Sequence, residues 1–161
     1  MESVSFQPLI SDESQILILG TMPGIKSLQM QQYYANERNA FWLIFFKLFK
    51  QEFSNHYQSR KNLILNNRIA IWDTLEYCYR EGSLDSGIKN EKPNDIPGLI
   101  KSYPNISNII FNGKAAEKFY TKFHKKIDRI EYFCLPSTSP ANARLKIEDK
   151  FNEWTLIRDL L

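Results

Sequence analysis

Cysteine and histidine are scarce. The chain has only Cys78, Cys134, His56 and His124, with no C-x-x-C pair and no ligand spacing, so no iron–sulfur cluster and no zinc or iron centre is expected. Both thiols are expected to be buried and reduced. No apolar run approaches the roughly 20 residues of a membrane helix, and Met1-Glu2-Ser3-Val4 does not read as the start of a signal peptide. The expected place of action is the cytoplasm, away from any membrane. An excess of one charge is also lacking, since 21 Lys and Arg stand against 18 Asp and Glu for a net +3. A nucleic-acid role would therefore need a local basic face. The glycines form neither G-x-G-x-x-G nor a Gly-Lys-Ser phosphate loop, and no cofactor is expected.

What remains is an ordinary globular composition, 43% hydrophobic and 24% charged. The 161 residues suit one domain, residues 1–161, which at this size buries roughly two-thirds of its unfolded surface. Short apolar runs predict strands at Gln15–Gly20, Arg68–Trp72, Ser107–Phe111 and Ile130–Leu135. Apolar residues at helical spacing from Phe41 to Phe49 predict a buried helix over Asn39–Gln51. Further helices are predicted at His56–Asn67, with Arg60 and Lys61 on its outer side, and at Asp95–Tyr103, Ala115–His124 and Leu145–Leu160. Residues 1–14 read as an irregular lead-in, and residues 80–98 as mostly loop. Alternation of strand and helix gives an α/β fold: a central four-stranded parallel sheet flanked by helices on both faces.

In such sheets ligands bind beyond the carboxyl ends of the strands. Four turn-forming or polar segments end there: Gly20-Thr21-Met22-Pro23-Gly24, Asp73, Asn112 and the loop from Pro136. Each residue has a structural reading beside the functional one. The glycine loop can be a tight connection. Tyr33 and Tyr34 are either core aromatics or, since they lie in a polar arm, a platform for stacking on a base. Asn39 is a natural helix cap, and Asp73 can organise a turn with Thr74. Lys114 reads as a surface lysine or a phosphate contact. Lys122, Lys125, Lys126 and Arg129 read as a solvated face.

Five segments, in order, resemble the uracil-DNA glycosylase superfamily, specifically its hypoxanthine-DNA (deoxyinosine) glycosylase branch, which is similar to the mismatch-specific glycosylases. They are Gly20-Thr21-Met22-Pro23-Gly24; Tyr33-Tyr34-Ala35 with Asn39-Ala40-Phe41-Trp42; Ile71-Trp72-Asp73 through Arg80 to Ser86; Phe111 to Ala116; and Leu135 to Asn142. The resemblance implies removal of a deaminated base from DNA, without metal or cofactor, by a monomer whose product passes to abasic-site repair enzymes. Two departures redirect the chemistry. Met22 stands where the superfamily commonly has a water-activating Asp or Asn, and Leu135 stands where it often has His or Asn. The branch implies that Asn39 takes the catalytic task. By the same resemblance, Gly20 to Gly24, Tyr33, Tyr34, Asp73 and Asn112 form the base pocket. Lys114, Ser137, Thr138, Ser139, Pro140 and Asn142 meet the DNA. A uracil or broader deaminated-base enzyme is the alternative within this class. A non-catalytic DNA-damage or nucleotide-binding module is the alternative outside it.

Overall fold

A computed structural model describes residues 1–161. Its centre is a parallel sheet of β2 (Ile16–Gly20), β3 (Ile69–Asp73), β6 (Asn108–Asn112) and β7 (Glu131–Leu135), in the order β3-β2-β6-β7. Side chains alternate across a strand, and here both sets are apolar. Ile16, Ile18, Ile69, Ile71 and Ile110 face one core, packed under α2 (Phe41–Leu48), α3 (Tyr57–Asn66), α6 (Ile147–Trp154) and α7 (Leu156–Leu160). Leu17, Leu19, Ala70, Ile109 and Phe111 face the other, under α4 (Ile96–Ser102) and α5 (Lys114–Phe123). Burial on both faces explains why these strands read as continuous apolar runs.

The chain leaves β2 toward β3 on one side and returns to β6 on the other. The loops after β2 and β6 therefore part, and a crevice opens at the carboxyl ends of these two strands. Gly20 and Asn112 lie at that point.

Four regions depart from the sequence expectation. The lead-in contains a strand, β1 (Glu2–Val4), and the expected 80–98 loop contains another, β5 (Lys89–Pro93). Both pair antiparallel with β4 (Leu75–Tyr79) in a second sheet, ordered β1-β4-β5. β5 reads Lys-Asn-Glu-Lys-Pro, an edge strand held by backbone hydrogen bonds, with no apolar alternation to betray it. The polar arm after Gly24 begins as a short helix, α1 (Ile25–Met30), whose first N–H donates to Ser83 Oγ (2.9 Å). The last helix is split at Thr155. Its hydroxyl donates to Asn152 O (2.6 Å), the local side-chain competition that bends helices.

Two side chains are also reversed. Cys134 is exposed, because β7 is an edge strand. Arg60 is buried: its guanidinium lies 5.4 Å from the rings of both Trp42 and Phe53 and donates to Ser54 O and Asn55 Oδ1. Two aromatic rings and two acceptors compensate the buried cation.

Candidate active site

A pocket of about 270 Å³ opens at the crevice, and the residues of all four strand ends line it. Gly20 to Gly24, Tyr33, Tyr34, Asn39, Asp73, Asn112 and Ser137 to Pro140 are all brought together there. Lys114 and Asn142 are not. Lys114 is exposed at the start of α5, and Asn142 Nδ2 donates to Ser137 O (3.2 Å), so it braces the loop from behind.

Asn39 stands partly exposed before α2. Its Oδ1 accepts from Phe41 N–H (2.9 Å) and its own N–H donates to Asn36 O (2.8 Å). This is an Asx turn leading into the helix and not the expected cap: the cap position is Ala40, which has no side-chain cap, and α2 begins at Phe41. An acceptor is required there, which fixes the amide orientation and leaves Nδ2 as the group with no partner in the protein.

Asn112 is spent differently. Its Oδ1 accepts from Thr138 N–H (2.9 Å), while Nδ2 donates to Thr138 Oγ1 (3.0 Å) and Tyr34 Oη (3.2 Å). Both amide protons are engaged. Asn112 borders the pocket, yet its polar atoms hold the wall together rather than face a ligand. Thr138 O in turn accepts from Ala40 N–H (3.0 Å), so the loop after β7 is stitched to the start of α2. Two residues of α6 anchor the same loop. Trp154 Nε1 donates to Pro136 O (2.9 Å), and buried Lys150 donates to Ser139 O (3.3 Å).

The tyrosines divide. Tyr33 belongs to the core: its hydroxyl donates to Gln7 O (2.6 Å), and its carbonyl accepts from Trp42 Nε1 (3.0 Å). Tyr34 forms the aromatic wall, stacked on Phe41 with centroids 4.0 Å apart. Its backbone sits at φ +52°, a conformation costly for an aromatic residue and of the kind that clusters at functional sites. Burial raises both phenols above their ordinary range, so each hydroxyl stays neutral.

Asp73 ends β3 at the pocket floor, 5% exposed. Its backbone carbonyl accepts from Asn94 Nδ2 (2.8 Å), but neither carboxyl oxygen has a donor in the protein and Oδ2 is wholly out of solvent. Burial, then the Asp85 carboxylate, push its pKa from 3.8 up to about 7, with Arg80 opposing. Gly20 makes the arrangement possible. A Cβ there would lie 2.6 Å from Asp73 Oδ1 and 3.1 Å from Tyr34 Oη.

The loop after β4 was missed as part of the site. Ser83, Leu84 and Asp85 line the pocket, held by Arg80, which is 1% exposed. The Arg80 guanidinium donates to Pro23 O and Ser83 O and approaches Asp85 Oδ1 at 3.6 Å. A buried cation thus ties the glycine loop to the 80s loop. Behind it, the N–H groups of Met22 and Gly24 have no acceptor in the protein and border the pocket. Met22 itself packs on Leu75 and Cys78, which leaves its backbone as its polar contribution.

The floor therefore carries a carboxyl without a partner, the wall an aromatic ring, and the mouth a free amide. A profile of the uracil DNA glycosylase superfamily matches residues 7–160. The chain belongs to the uracil DNA glycosylase superfamily. A hypoxanthine DNA glycosylase of Methanosarcina acetivorans is 33% identical over 153 residues, covering 94% of this chain and 95% of that protein. One of Methanosarcina barkeri is 33% identical over 120 residues, covering 74% and 76%. A solution NMR structure from M. acetivorans, described as a candidate uracil DNA glycosylase, superposes with TM-score 0.83 at 33% identity, covering 99% of both chains. The superfamily's single parallel-sheet α/β architecture is the one seen here.

Proposed function

We propose that this superfamily member is a monofunctional DNA glycosylase that hydrolyses the N-glycosidic bond of deoxyinosine, releasing hypoxanthine and leaving an abasic site for repair. The observation that carries this reading is the pocket itself. It holds a free Asn39 amide, an unpartnered Asp73 carboxyl and the Gly20–Gly24 backbone within one space at the sheet's switch point. At about 270 Å³ the space lies just below the roughly 300–1,000 Å³ of drug-sized sites, which suits one flat heterocycle. Its relatives' names supply the base.

A base inside a duplex is out of reach, so the nucleotide must be flipped, at a cost of a few kcal/mol that is least for a poorly paired base. Breaking the bond builds positive charge on the sugar and negative charge on the departing base. Asn39, at the mouth, positions the attacking water through Nδ2; an amide is a weak base, so orientation dominates. The free N–H groups at Met22 and Gly24 polarise the base. Tyr34, backed by Phe41, stacks on it, with Tyr33 supporting from the core. Asp73 meets its N–H edge. Ser137, Ser139 and Pro140 engage phosphate and the vacated stack, with Lys114 adding a phosphate contact further out. The protein acts as a monomer on DNA in the cytoplasm, and abasic-site repair enzymes take its product. No helix is long and apolar enough to cross a membrane.

The uracil reading has one observation in its favour, the description of the structural neighbour. Oligonucleotides carrying a single inosine, uracil or xanthine decide between them. Release of hypoxanthine and an alkali-labile break at inosine are expected, and excision of uracil alone overturns the assignment.

A further inference from the structure

We propose that Asp73 works as a carboxylic acid, its un-ionised carboxyl donating a hydrogen bond or a proton to the departing base. The inference rests on the glycosylase reading and adds a catalytic role to a residue assigned above to base contact.

Depth in the pocket separates the two polar side chains. Asp73 is almost fully buried at the end of β3, whereas Asn39 is partly exposed at the mouth. A flipped nucleotide enters base first, so its sugar stays level with Asn39 and its base reaches Asp73. The carboxyl therefore acts on the leaving group and not on the attacking water.

The charge of the leaving group then decides the form that works. As the bond between C1′ and the base nitrogen N9 breaks, its electron pair passes to the base and spreads over the ring nitrogens and the carbonyl oxygen. An ionised carboxylate facing that charge would raise the barrier. A neutral acid donates to it and lowers the barrier, an interaction strongest in the transition state. Hypoxanthine also presents a lactam edge, an N–H beside a carbonyl. A carboxylic acid matches it with one donor and one acceptor, whereas a carboxylate only accepts. The atoms balance: water oxygen bonds to C1′, the base gains the Asp73 proton, and the proton lost by water reprotonates Asp73 through solvent.

The surroundings favour that form. From the arm, the Tyr34 hydroxyl faces Asp73, with Tyr33 behind it; both are neutral. From the end of β4, the Arg80 guanidinium is engaged with Pro23, Ser83 and Asp85 and makes no hydrogen bond to Asp73. From the loop beyond, Asp85 adds negative charge. No donor compensates the ionised carboxyl, and burial raises its pKa to about 7.

The test is the single-turnover rate of hypoxanthine release from an inosine oligonucleotide between pH 5 and 9, with the dissociation constant measured at each pH. For the unaltered protein the rate is expected to be level in acid and to fall about tenfold per unit above pH 7. Asp73→Asn stays neutral while keeping a donor and an acceptor, so its rate should stay within about tenfold of the acid plateau and show no alkaline fall. Asp73→Ala should lose about 100-fold at pH 6. A rate that rises through neutral pH, a flat profile, or an unchanged alkaline fall in Asp73→Asn overturns the acid role while the glycosylase reading stands. No release from inosine at any pH overturns both.

Discussion

One atom of the Asn39 amide is spent on the fold and the other is free. Its oxygen closes the turn into α2 by accepting from Phe41 N–H, and its nitrogen has no partner in the protein at the pocket. Substitution can separate the two. A serine hydroxyl can also accept in such a turn, so Asn39→Ser should hold stability within about 0.5 kcal/mol of the parent by urea denaturation, while Asn39→Ala should cost about 1 kcal/mol. Both should lose roughly 100- to 1,000-fold in single-turnover excision, the loss typical of one positioned donor. Asp73 gives a stability prediction whose sign follows from its raised pKa. Between the ordinary carboxylate range and about pH 7, the folded protein holds a proton that the unfolded chain has released. Stability therefore falls as pH rises through that window, by at most an amount on the order of 4 kcal/mol. Urea midpoints for the unaltered protein should drop from pH 5 to pH 8, and those of Asp73→Asn should not show that drop. The absence of any donor around Asp73 was not legible in the sequence, since it depends on distant chain segments.

The elements that carry the site were legible to the extent that they bury apolar surface. β2, β3, β6 and β7 are covered on both faces, so each announced itself as an apolar run ending in Gly, Asp, Asn or Pro. β5 and the 80s loop bury little, and only long-range ties bring Ser83 and Asp85 to the pocket. Arg80 is the chief tie. Replacing it with Met leaves the carbonyls of Pro23 and Ser83 unpaired and should cost about 2–3 kcal/mol. Hydrogen exchange should then quicken across residues 80–88 while the parallel sheet stays protected. Gly20 is a second test at this scale. Gly20→Ala places a methyl group 2.6 Å from Asp73 Oδ1, so the carboxyl or the Tyr34 ring must move. Stability should fall by about 1–3 kcal/mol, and excision should fall further than stability explains.

At the scale of the molecule, a net charge of +3 leaves DNA binding to whichever cations lie near the pocket mouth. Lys26 lines it, and Lys114 is exposed at the start of α5. If Lys114 meets a phosphate, Lys114→Ala should reduce the slope of log affinity against log salt by about 0.9 without changing which base is excised. Apolar runs and turn chemistry located the parallel sheet and the Gly20–Gly24 loop, Asp73, Asn112 and the Pro136 loop at its edge, while the roles of Asn39 and of Ser137 to Pro140 came from the family resemblance. The second sheet and the electrostatic ties stayed unseen, because these arise from backbone pairing and buried charge that no local period encodes. In the proposed reaction this pocket hydrolyses the deoxyinosine bond with Asn39 positioning the water. Single-turnover cleavage of an inosine oligonucleotide by the unaltered protein and by Asn39→Ser decides whether it does. Hypoxanthine released by the former and roughly 100-fold more slowly by an equally stable Asn39→Ser is the expected result; equal rates from the two proteins, or tight binding of inosine DNA with no base released by either, contradict it.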